Sequence, residues 1–148
     1  ERLAMGAAYD IVVNSDDPGF DTSIDGKALS RNSAKIDVIA TSLGFKSLNE
    51  YFSTSPEDAR LEMAGMLGIE DENDLPPENE AAIKKMPPEE WYDAGHGADY
   101  AGKIAEHIRN DATTVAEPEA VLFDLESMST VMAHCKERGL QWHLFVDY

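Results

Sequence analysis

Leu140-Gln141-Trp142-His143-Leu144-Phe145-Val146-Asp147 alternates strictly, with Trp142, Leu144 and Val146 on one side and Gln141, His143, Phe145 and Asp147 on the other. A period of two over eight residues rich in aromatic and branched side chains specifies a half-buried strand. An isolated strand cannot satisfy its own backbone groups, so it needs a partner. Residues 7–14, Ala-Ala-Tyr-Asp-Ile-Val-Val-Asn, supply one, with Tyr9, Ile11 and Val13 on a common face. Two strands at opposite ends of a chain whose middle is helical predict an α+β fold. We expect a mostly helical single domain with a small sheet pairing residues 7–14 with 140–147, helices on one face, and room for a short third strand.

Between the strands, turn chemistry marks the helices. Ser15 to Lys27 collects Asp, Gly, Pro, Ser and Thr and reads as a loop. From Ser33, the residues Ile36, Ile39, Ala40 and Leu43 recur at helical spacing before Gly44. Ser47-Leu48-Asn49-Glu50 has capping-box spacing and opens a short turn carrying Leu48, Tyr51 and Phe52. Ser55-Pro56 places a cap and then proline at the first helical position, which predicts a second helix to Leu67 that ends at Gly68.

Residues 69–88 hold four prolines, six acidic side chains and few apolar ones. They read as a long exposed connection, with at most a helical turn near Ala81. Beyond it, 88–92 resembles a helix start and Tyr100, Ile104 and Ile108 fall four apart, giving a helix over about 98–110. A brief extended piece is expected at Val121 to Phe123. Asp124 then caps a helix whose Leu125, Met128, Met132 and Cys135 share a face and which stops at Gly139.

Composition narrows function more than motifs do. The length of 148 residues and a 43% apolar content suit one domain, here 5–148, with 1–4 set aside as vector-derived, upstream or processing residues. The longest apolar runs are far short of a membrane span, and no secretion-type segment is visible. A lone Cys135 permits no internal disulfide and fits a reducing cytoplasm. The formal charge is −17, and residues 55–99 hold thirteen acidic against three basic side chains. Such a field repels phosphate backbones and anionic lipid and draws in basic partners. It also keeps a protein soluble, which is the plainer explanation.

Chemistry-bearing clusters are few. Asp21, Ser23 and Asp25 before Gly26 resemble the first half of a calcium loop, but Asn32 stands where the bidentate glutamate belongs. An Asx-type turn is the alternative. His96, His107, His134 and His143 have no metal-motif spacing, and His134 and Cys135 point about 100° apart on a helix. No metal and no cofactor are expected. The run 89–97 joins carboxylates, Trp91, Tyr92 and a glycine-flanked His96, so Trp91, Tyr92, His96 and Tyr100, with His143 on the last strand, are the pocket candidates. The opposing view has Trp91 filling core and the glycines making a turn. No phosphate loop, nucleophile elbow or Cys-x-x-Cys pair is present, which weighs against an enzyme.

Thr41-Ser-Leu-Gly-Phe-Lys-Ser-Leu-Asn-Glu-Tyr-Phe52, the central Glu90-Trp91-Tyr92 with Gly97, and the ending from Asp124-Leu-Glu to Trp142-His-Leu-Phe-Val-Asp147 together resemble small uncharacterised bacterial proteins. The resemblance implies a shared fold and a bacterial origin and carries over no active-site residue.

Two readings follow. In the first, the chain is a non-catalytic acidic cytoplasmic protein that binds a basic protein partner, in the manner of an immunity or inhibitor protein, through Glu70, Asp71, Glu72 and Asp74. In the second, it binds a small molecule or runs a modest reaction at 91–100, with His96 as acid or base. Neither nucleic acid nor membrane is expected as a partner. Exposed strand edges leave homodimerisation as a further option.

Overall fold

In the computed structural model, residues 7–147 are described, so the reading of residues 1–4 lies outside them. The fold is α+β and mostly helical, with a three-stranded antiparallel sheet of order β1-β3-β2. β1 (Ala8–Val13) pairs with β3 (Gln141–Asp147) in the register Ile11↔Leu144, and β2 (Tyr92–Asp93) pairs with the other edge of β3. This register follows from the alternation: sliding β3 by one residue would turn Trp142 and Leu144 out of the core, and sliding β1 would do the same to Tyr9 and Ile11.

The chain divides into two bodies. Of the described residues, the first comprises 7–52 with 91–147, and the second is Ser53–Glu90. In the first, α1 (Lys27–Arg31), α2 (Ser33–Ser42), α5 (Ala94–Asn110) and α6 (Pro118–Glu137) pack on one another and on the Trp142–Leu144 face of the sheet. Tyr100, Ile104 and Ile108 from α5 meet Val121, Leu125, Met128 and Met132 from α6 in one buried set. Gly97 sets how closely they approach. A Cβ there would stand 2.7 Å from both Met132 Sδ and Trp142 Nε1, so only glycine lets the helix lie against the indole.

The second body is built from α3 (Pro56–Leu67) and α4 (Pro77–Lys84), joined through a 3₁₀ turn at Glu72–Asp74. Its buried side chains are Ala59, Ala64, Leu75 and Ile83. The expectation of a plain connection over 69–88 therefore needs correction. Pro77 opens a helix there with Glu78 and Glu80 in its first turn, and Ile83 and Leu75 give it an apolar anchor despite the acidic composition.

Three other boundaries differ. Asp93, not a later residue, caps α5 by accepting the His96 N–H at 2.9 Å, so Gly95-His96-Gly97 is the first helical turn rather than a loop. No helix starts at 88–92, where the chain extends into β2 instead. α6 begins at Pro118, which places Val121–Phe123 inside the helix and Asp124 in its buried face. Asp124 still caps a helix, but a distant one: it accepts the Leu29 N–H at 3.3 Å, with further backbone bonds from Gly26 and Ala28 at the start of α1. Burial nonetheless pushes its carboxyl above the usual range.

Candidate functional site

The four carboxylates expected to meet a partner lie in the Ser53–Glu90 body, where α3 turns back on itself. Ser55 caps α3 by accepting the Asp58 N–H at 3.1 Å, and Pro56 supplies its first residue. The helix stops at Gly68, whose φ of 70° is a left-handed conformation open to glycine, and the Ile69 N–H donates back to the Ala64 carbonyl at 2.8 Å. That reversal lays Ile69 to Glu72 alongside the last two turns of α3. Asp71 fixes the next bend by accepting the Asn73 N–H at 2.9 Å. Between α3 and α4, Arg60 holds Glu80 through bonds of 2.8 and 3.4 Å, which lowers the Glu80 carboxyl below its usual range. The Glu90 N–H donates to Ser53 Oγ at 2.7 Å and joins the two ends of the body.

The reversal leaves a wide, open groove of 520 Å³, lined by Leu61, Ala64 and Gly65 of α3 and by Ile69, Glu70, Asp71 and Glu72 of the segment that follows it. Three of the four expected partner-binding carboxylates therefore face one groove. Asp74 lies at the end of the following 3₁₀ turn, exposed but outside the lining. What charge counting missed is the apolar half. Leu61 is 55% exposed, Met66 85% and Leu67 52%, and all three belong to one twelve-residue helix. Eleven acidic side chains stand against three basic ones in this body, and one of the three, Arg60, is taken up by Glu80. At neutral pH the rim offers only acceptors, beside aliphatic surface. Such a surface suits a ligand that carries ammonium or guanidinium groups next to alkyl side chains.

The five pocket candidates separate into two groups on opposite faces of the sheet. Tyr92, His96 and Tyr100 gather around Tyr51, a residue that sequence reasoning placed only in a short turn. The Tyr51 hydroxyl and His96 Nε2 share a bond of 2.6 Å, and the Tyr92 hydroxyl donates to the Glu50 carbonyl at 2.7 Å. Tyr51 is sandwiched, its ring stacked on Trp142 at 5.3 Å and edge-on to Tyr92 and Tyr100 at 5.2 and 5.1 Å. Trp91 and His143 meet on the other face, ring centroids 4.7 Å apart, with His143 Nδ1 2.9 Å from the Leu144 carbonyl. A carbonyl only accepts, so Nδ1 carries the hydrogen.

Burial pushes the Tyr51 and Tyr100 hydroxyls above their usual range, so both stay protonated at neutral pH. The Tyr100 hydroxyl is buried without a hydrogen-bond partner among the described residues. His96 itself is exposed. An open recess of 330 Å³ adjoins the start of α5 and is lined by Asp93, Ala94, Gly95, Lys136, Gly139, Leu140 and Gln141, and the His96 side chain is outside that lining. The one carboxylate in it, Asp93, is engaged as the cap of α5. The aromatic cluster thus fills core around Tyr51 and presents His96 at its edge.

The other sequence candidates fall into turns. Asp21 accepts both the N–H and the hydroxyl of Ser23, at 3.0 and 2.6 Å, and Asp25 accepts the Lys27 N–H at 3.2 Å. These are Asx-type bonds that order the entry to α1. Among the described residues no three His, Cys, Asp or Glu side chains converge as a metal site would require. Cys135 is buried, and burial raises its thiol above the usual range, which disfavours the reactive thiolate. Among the described residues no helix is long and apolar enough to cross a membrane. Comparison of the chain with protein-family models, with curated proteins and with solved structures finds no match.

Proposed function

We propose that the chain is a non-catalytic binding protein whose Ser53–Glu90 body docks a basic protein partner. One observation carries this reading: the groove beside α3 joins an acidic rim, Glu70 to Glu72, to the exposed side chain of Leu61, on a helix that also exposes Met66 and Leu67. Surface charge alone serves solubility, and exposed aliphatic side chains work against it. The two together on a twelve-residue stretch are what a cationic, partly apolar surface would complement. The role resembles that of an immunity or inhibitor protein, covering a basic functional surface of its target. A bacterial cytoplasm is the setting we assign to it, where a lone reduced thiol such as Cys135 is at home.

The test uses tagged wild type and a variant in which Glu70, Asp71, Glu72 and Asp74 become Gln or Asn. Both are challenged with the same host lysate at low and high salt, and each retained protein is then purified and titrated. A basic protein bound by wild type, released by salt and at least about tenfold weaker for the variant supports the proposal. A purified partner that binds both proteins equally at both salts would rule out this surface.

A further inference from the structure

We infer that the element this groove receives is a cationic amphipathic α-helix of the partner; this rests on the proposed docking role and adds the shape of the ligand to its charge. The inner wall is itself helical. Leu61, Ala64 and Gly65 stand three and four residues apart along α3, the spacing that forms ridges and grooves on a helix surface. At the centre of that wall the ridge is cut down to Ala64 and Gly65, so a second helix can approach closely. A Cβ placed on Gly65 would meet nothing within 4 Å, which shows the space above it to be open. Mid-helix glycine costs the helix about 1 kcal/mol relative to alanine, and no contact within the fold requires it here.

Charge fixes the rest of the occupant. Glu70, Asp71 and Glu72 line the same groove and form its acidic lip, and the carbonyl end of α3, a few residues before them, adds partial negative charge. A helix with aliphatic residues on one face and lysine or arginine flanking them places alkyl groups against Leu61 and Ile69 and its cations against the lip. An extended basic segment that alternates would also satisfy the lip, but its apolar side chains form one flat row that does not interdigitate with the three- and four-residue spacing of α3.

Three peptides of equal net charge test this: one of about 18 residues with leucines recurring at i, i+3, i+4 and i+7 among lysines, one of the same composition with leucine and lysine alternating, and one of lysine alone. Binding is measured by fluorescence anisotropy against wild type, Gly65→Gln, a Glu70→Gln/Asp71→Asn/Glu72→Gln variant, and a control with Asp16→Asn/Asp17→Asn/Glu119→Gln that removes as much charge elsewhere. The expected result is that the helical-period peptide binds at least about tenfold more tightly than the other two, and that Gly65→Gln and the lip variant each remove that preference while the control keeps it. A Cβ at Gly65 meets nothing within 4 Å and glutamine favours the helix, so Gly65→Gln should melt no lower than wild type, and loss of binding at an unchanged melting temperature is not unfolding. Equal binding of all three peptides, still weakened by the lip variant, overturns the helix and leaves the basic-partner reading standing. A helical preference indifferent to Gly65→Gln overturns the groove as its seat. No binding of any cationic peptide removes both.

Discussion

The two bodies of this chain hold themselves together by different means. Residues 7–52 and 91–147 enclose one contiguous buried set of twenty-four side chains, among them Trp142, Tyr100 and Leu144, whereas Ser53–Glu90 buries Ala59, Ala64, Leu75 and Ile83. At roughly 1.5–3 kcal/mol for each large aliphatic side chain buried, the second body has little packing to draw on. Local devices stand in for it: Ser55 and Asp71 as caps, prolines at the starts of both helices, the Arg60–Glu80 pair and the Glu90–Ser53 bond. A body stabilised this way can leave Leu61, Met66 and Leu67 outside. Regions of low packing density are also where proteins open locally and where ligand-binding surfaces are commonly drawn from.

Substitutions can break this contrast. Trp142→Ala has the largest expected effect, a loss of about 3–5 kcal/mol in denaturant melts, because the indole fills the contact among Tyr51, Gly97 and the sheet and its N–H donates to the Asp93 carbonyl at 2.9 Å. Ile83→Ala should cost about 2–5 kcal/mol but selectively. Hydrogen exchange is expected to accelerate across 53–90 while amides of α5, α6 and the sheet keep their protection. Uniform acceleration of both bodies would erase the distinction between them. Ser55→Ala, which deletes the cap of α3, should cost about 1 kcal/mol, again visible in exchange of residues 56–60.

Smaller effects sharpen the picture inside the first body. Tyr51→Phe removes the bond to His96 and should destabilise by about 1 kcal/mol. Tyr100→Phe removes a buried hydroxyl that has no partner among the described residues and should be neutral or stabilising. Thermal melts of the two variants should therefore move in opposite directions or differ by a few degrees. The smallest effect concerns pH. Burial and the nearby Asp147 hold the Asp10 carboxyl above its usual range, so the folded state binds its proton more tightly than the unfolded chain does. The stability this contributes is complete below the unfolded value of about 3.9 and is lost as pH rises through the raised folded value. Asp10→Asn should match wild type near pH 3.5 and exceed it at neutral pH, by less than about 1 kcal/mol at this partly solvated position.

Features fixed by neighbouring residues were readable from the sequence. The alternation of 140–147 specifies β3 and, with it, the need for β1. Ser55-Pro56, Gly68 and Gly139 mark helix ends because caps act over three or four residues. Features made by distant chain segments were not readable. Asp124 looks like the cap of its own helix and instead serves α1, ninety-five residues away from Leu29. Tyr51 and His96, forty-five residues apart, share a bond beside Trp142 of β3, on which the Tyr51 ring stacks. The acidic lip of the groove was legible as charge. Its aliphatic wall was not, since Leu61 at helical spacing reads as core until the structure shows nothing covering it. α4 was missed because acidic and proline content outweighed a sound helix start at Pro76-Pro77.

The central claim is that binding belongs to the less densely packed body and to one face of it. Hydrogen exchange of the full chain with and without the helical-period lysine–leucine peptide tests it most directly. The account predicts added protection confined to residues 61–72, with α5 and α6 unchanged. Protection falling on α5, α6 or the sheet, or spread evenly over both bodies, would contradict it.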